Sequence, residues 1–110
     1  MTPKKLHIEA MQKSQLADIA IFENREQDAM SLWKESFELE KQAAMLLMNK
    51  YDKEPTRSIL FKSAAYLALK VGLKREAEFL ACRGLEGSPS EYVAKELKRL
   101  KVNRVSNPKT

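Results

Sequence analysis

Apolar residues recur at steps of three and four along nearly the whole chain, and only three glycines and four prolines interrupt them in 110 residues. Such spacing lines one face of a helix, and no stretch alternates with a period of two for long enough to be read as a strand. The breakers fall where helices must stop and start. Gly87-Ser88-Pro89-Ser90-Glu91 is the clearest boundary. There Gly87 suits the left-handed residue that ends a helix, Ser88 the cap of the next, Pro89 its first position and Glu91 the return half of a capping box. Gly72-Leu73-Lys74 and Tyr51-Asp52-Lys53-Glu54-Pro55-Thr56 mark two more. Asn24, followed by Gln27, reads as a turn residue and a helix cap in one.

Five helical segments result: about Lys4 to Glu23, Asn24 to Tyr51, Thr56 to Val71, Lys74 to Leu85 and Ser90 to Lys101. The second carries a stripe of Ala29, Leu32, Trp33, Ser36, Phe37, Ala43, Ala44, Leu47, Met48 and Tyr51, with Glu40 as its one charged interruption. It predicts an extended helix of roughly 25 residues, about 40 Å long. The third is apolar around more than half its circumference and is expected at the buried centre. The last turns Val93, Leu97 and Leu100 inward and Lys95, Lys98 and Arg99 outward. Short connections make neighbouring helices antiparallel, so the expected fold class is all-α, built from antiparallel helical hairpins. The reading is one helical domain over residues 1–101 and a basic, flexible tail over residues 102–110.

A repeat is written into the spacing. Gly72-Leu73-Lys74-Arg75-Glu76-Ala77 is followed by Gly84 and Pro89, with Ala65 twelve residues before Ala77 and Phe61 four before that. Asn24-Arg25-Glu26-Gln27-Asp28-Ala29 repeats the spacing in the front half, with Ala17 twelve before Ala29 and Trp33 and Ser36 after it. Small residues at such positions let two antiparallel helices cross closely, while bulky ones fill the groove beside the crossing. The pattern resembles a tetratricopeptide repeat. Lys13 departs from it where an aromatic residue is wanted, Ala81 where a bulky one is. The two copies lie 48 residues apart, against the roughly 34 of that family, and the excess of about four turns falls in the long second helix. The run from Pro55 to Gly72, with Glu76-Ala77 and Gly87-Ser88-Pro89, is also similar to small stand-alone bacterial proteins of this helical type whose activity is not assigned. The resemblance implies a superhelix of about five helices and a bacterial origin.

Charge distribution narrows the function classes. The formal net charge is +5, yet six basic residues against Glu96 in residues 95–110 account for all of it, leaving 14 basic and 14 acidic residues in the first 94. A body-wide basic field of the kind a dedicated nucleic-acid-binding domain carries is absent. One cysteine, Cys82, and one histidine, His7, exclude an intrachain disulfide and a Cys/His zinc site, and point to a reducing, cytoplasmic setting. His7 reads as a surface residue and Cys82 as an ordinary helix residue. The start of the chain lacks the apolar core of a secretory signal, and no apolar run approaches the roughly 20 residues of a membrane span. Gly84-Leu85-Glu86-Gly87 lacks the Lys-Ser or Lys-Thr of a phosphate loop. No catalytic residues, cofactor or metal are expected.

The function expected first is a non-enzymatic protein-protein interaction module, a helical-repeat adaptor. Arg57, Lys62, Lys70 and Arg75 are the candidates to line a groove for an acidic peptide. A homodimer through the distal part of the second helix is a further expectation, with Met45, Met48 and Tyr51 as contacts, because Met and aromatic side chains suit adaptable surfaces. Trp33 and Phe37 read as core. The alternative is a nucleic-acid-associated regulatory protein, for instance a toxin–antitoxin component, using Lys95, Lys98, Arg99, Lys101 and Arg104 to contact phosphates. Against it, no aromatic residue is interleaved there for base stacking.

Overall fold

Helix boundaries fall close to their sequence signals except at the ends of α2 and α5. The computed structural model describes residues 1–106, with side chains through Lys101. It contains α1 (Pro3–Phe22), α2 (Glu26–Leu46), α3 (Thr56–Lys70), α4 (Lys74–Leu85) and α5 (Glu91–Ser106), with a 3-10 turn at Tyr51–Lys53. No strand occurs among the described residues. Thr2 starts α1 by accepting the Lys5 amide on its hydroxyl at 3.1 Å, with Pro3 at the first helical position. Asn24 (φ 63°) and Gly72 (φ 83°) supply the left-handed residues that turn α1 into α2 and α3 into α4.

Consecutive helices pack in chain order, and α5 also reaches α3. Among the described residues no comparable packing joins α1 to α3. α3 is the centre: Leu60, Phe61, Ala64, Ala65, Leu67 and Ala68 are buried, as its wide apolar circumference predicts. Alanines set the close crossings, since Ala17 and Ala29 are buried in the first hairpin and Ala65 and Ala77 in the second. Gly84 does the same for α4. A Cβ there would stand 3.0 Å from Phe61 Cβ and from a Leu97 methyl, so only hydrogen fits without displacing the neighbours.

Five local expectations are corrected. α2 stops at Leu46, short of Tyr51, because its last turn tightens: the Leu47 and Met48 amides donate to Ala44 and Met45. The Met48 carbonyl, released from the helical ladder, accepts from Arg57 Nε at 2.9 Å. Gly87 is not left-handed; it is glycine because a Cβ would fall 2.0 Å from a Glu54 carboxylate oxygen and 2.7 Å from the Arg57 guanidinium. The cap of α5 is Ser90, whose hydroxyl accepts the Val93 amide at 3.3 Å, while the Ser88 amide donates to Glu54 at 3.0 Å. Asn24 turns the chain, but no side-chain cap holds the start of α2. α5 continues past the expected end at Lys101, and the side chains of residues 102–110, Arg104 included, lie outside the described residues.

Candidate functional site: a cleft between α1 and α3

Because α1 leans on α2 and not on α3, an open cleft of about 440 Å³ separates them. His7, Met11 and Ser14 of α1 form one wall, and Ile59, Lys62, Ser63, Tyr66, Leu67 and Lys70 of α3 the other. α2 underlies both ends. At one end, His7 Nδ1 lies 2.9 Å from both carboxylate oxygens of Glu40, which has no exposed surface. The buried carboxylate thereby keeps a partner, and the imidazole is fixed in orientation. At the other end, the Lys70 ammonium stands 4.5 Å from the centroid of the Trp33 ring. Lys62, between them, lies 5.2 Å from the ring of Tyr92 of α5. Cations over aromatic faces are held in place while still offering charge to solvent.

The remaining wall is braced from α5. Tyr66 donates its phenol to Glu96; burial, then the hydrogen bond to that carboxylate and its charge, push the phenol above its ordinary range. Between α1 and α2, Ser36 donates to the Ala10 carbonyl at 2.7 Å, and its oxygen lies 2.8 Å from the Ser14 hydroxyl. Ser14 is therefore the donor to Ser36, and its own oxygen is left to accept from the cleft side.

Of the four expected groove cations, Lys62 and Lys70 line this cleft. Arg75 is exposed on α4 and does not line it. Arg57 is removed from any binding surface. It is fully buried, donating to the carbonyls of Met48 at 2.9 Å, Arg83 at 2.7 Å and Gly84 at 3.4 Å. Its guanidinium lies 4.8 Å from the Tyr51 ring centroid and 5.0 Å from that of Phe61. A planar fork of donors serves three carbonyls as an ammonium could not. Glu54 completes this structural knot, accepting from the Ser58 hydroxyl at 2.6 Å and from the amides of Ser58 and Ser88 at 3.0 Å each. Burial opposes its charge, but these hydrogen bonds and Arg57 hold the carboxyl below its ordinary value.

Met45 and Met48 are half-buried against the core, and Tyr51 is exposed on one side while stacked on Arg57. Lys95, Lys98 and Arg99 are exposed on α5, Arg99 beside Glu96 at 3.8 Å, and Lys101 is half-buried. A larger cavity, about 730 Å³, lies between the start of α1 and the chain after α2. Its charged walls mix Lys4, Lys50 and Lys53 with Asp52 and Glu54, so it selects no ligand charge. Among the described residues no group of His, Cys, Asp and Glu is placed to hold a metal ion, and no helix is long and apolar enough to cross a membrane. In comparisons with known proteins, no family model, no curated protein and no solved structure matches the chain.

His7, Met11, Ser14, Ile59, Ser63 and Tyr66 are cleft residues that periodicity alone did not single out as a site. The signal for His7 was Glu40, a carboxylate on an otherwise apolar stripe, which requires a polar partner.

Proposed function

We propose that the protein is a non-enzymatic interaction module whose α1–α3 cleft receives an acidic segment of a partner protein. The observation that carries this reading is the placement of Lys62 and Lys70 along one wall, over Tyr92 and Trp33, above the apolar side chains of Met11, Ile59 and Leu67. Two turns of helix separate the lysines by roughly 12 Å, the reach of about four residues of extended chain. A segment with two carboxylates flanking an apolar side chain matches that spacing in charge and hydropathy. The buried alanine crossings and the stacking of helices in chain order support a tetratricopeptide-like arrangement of the two hairpins.

The test is fluorescence anisotropy with labelled hexapeptides of the form acidic–apolar–acidic, their neutral and basic counterparts, and mixed-sequence DNA and RNA oligonucleotides. Selective binding of the acidic peptides, lost in Lys62→Glu/Lys70→Glu, supports the reading. Equal binding to the double variant would sink it, as would binding of oligonucleotides alone through Lys95, Lys98 and Arg99.

A further inference from the structure

We propose that the outer face of α1 is a homodimer interface, at which two copies meet with their α1 helices antiparallel about a twofold axis between Lys13 and Ser14. One side of α1 is used already: Leu6, Ala10, Ala17 and Ala20 are buried. On the opposite side Ile8, Gln12, Gln15, Ile19 and Phe22 follow one another at steps of four, three, four and three. That is the spacing of a helix–helix seam. Leu16 flanks it. These apolar side chains are open to solvent, Ile8 at 46%, Leu16 and Ile19 at 49% and Phe22 at 88% of their full exposure. The opposite end of the helical stack is built differently, since α5 turns Lys95, Lys98 and Arg99 outward and buries Val93, Leu97 and Leu100. Among the described side chains α5 thus exposes one large apolar group, Tyr92, whereas α1 presents a seam.

The seam is complementary to itself in one orientation. Antiparallel pairing about the stated axis sets Ile8 against Ile19 of the second copy and Gln12 against Gln15. Phe22 then reaches the stem of Lys5, and Lys4 comes level with Glu23. Parallel pairing would instead stack Lys4 and Lys5 on the same lysines of the second copy, and would align the two helix dipoles. The central glutamines set the register, because a slip of one turn places an amide against isoleucine. His7, Met11 and Ser14 face the cleft from a neighbouring side of α1, so pairing leaves the proposed peptide site open. A 20-residue helix, about 30 Å long, offers a small interface, and association in roughly the micromolar range is expected.

Sedimentation velocity across a concentration series up to millimolar tests this, on the wild-type chain, Ile19→Arg and Tyr51→Ala, with circular dichroism to show that each variant keeps its helices. The expected result is a monomer–dimer equilibrium weakened at least about tenfold in Ile19→Arg and unchanged in Tyr51→Ala. In a Cys82→Ser background, mixing Gln12→Cys with Gln15→Cys should give the disulfide-linked heterodimer in preference to either homodimer. A strictly monomeric wild type, or a dimer indifferent to Ile19→Arg, overturns the proposal; homodimers cross-linking as readily as the mixture overturns the antiparallel register.

Discussion

The Arg57 guanidinium donates to the Arg83 carbonyl at 2.7 Å, so a side chain at the start of α3 closes the end of α4, 26 residues later. The same group takes the carbonyls of Met48 and Gly84 and is buried between Tyr51 and Phe61. Replacing Arg57 with Met keeps much of the packing but strands carbonyls away from water. A loss of about 3 kcal/mol or more is expected by urea denaturation. Arg57→Lys should recover little of it, because one ammonium cannot span the fork.

His7 and Glu40 form a pair in which only the histidine reaches solvent. Deleting the imidazole in His7→Ala leaves a buried carboxylate without this partner, at a cost of about 1–3 kcal/mol. The double variant His7→Leu/Glu40→Leu should be more stable than His7→Ala alone, since both polar groups leave together. A double-mutant cycle in urea measures the coupling, and additive losses would contradict it.

Gly87→Ala and Gly72→Ala separate two reasons for glycine. At Gly72 nothing lies within 4 Å of a Cβ, and the φ of 83° alone is strained, which predicts a loss of about 1 kcal/mol. At Gly87 the Cβ displaces the Glu54 carboxylate. That side chain can swing aside at the cost of its hydrogen bonds to Ser58 and Ser88, but the buried Arg57 guanidinium, 2.7 Å from the Cβ, must shift as well, so a loss of about 1–3 kcal/mol or more is expected. In a Glu54→Ala background the Gly87→Ala penalty should shrink, which thermal denaturation of the four chains would reveal.

Glu54 also sets an acid limit. Its carboxyl titrates below the ordinary 4.5 in the folded chain, so the folded state binds its proton less readily than the unfolded state. The stabilisation is fully present above pH 4.5 and is lost as pH falls through the folded value beneath it. Acid denaturation followed by circular dichroism should show a shallower limb in Glu54→Gln, and an unchanged limb would show that this carboxyl is not the group responsible.

Helix existence was legible because periodicity is local. Two of the local differences involve side-chain contacts that spacing does not reveal. α2 ends early where Arg57, nine residues after Met48, takes the carbonyl of that residue. Gly87 is fixed by a Glu54 carboxylate 33 residues away in sequence, and spacing carries no sign of that approach. Arg57 itself was legible in part: Arg57, Phe61, Ala65 and Ala68 share one face of α3, which marks the arginine as buried and distinguishes it from Lys62 and Lys70. His7 was passed over because its partner lies 33 positions on, in another helix, although the isolated Glu40 announced that some partner was needed.

The turn end of the first hairpin is held by little apolar substance. Ala17, Ala20 and Ala29 form a core separate from the main one, supplemented by Leu32 and Trp33. Alanine contributes the least burial per residue of any side chain with a Cβ, so this end is where amide hydrogens should exchange first, well before those of α3. Pairing of two α1 helices would cover the neighbouring Ile19 and Phe22, making the exchange rate at the tip a reporter of protein concentration.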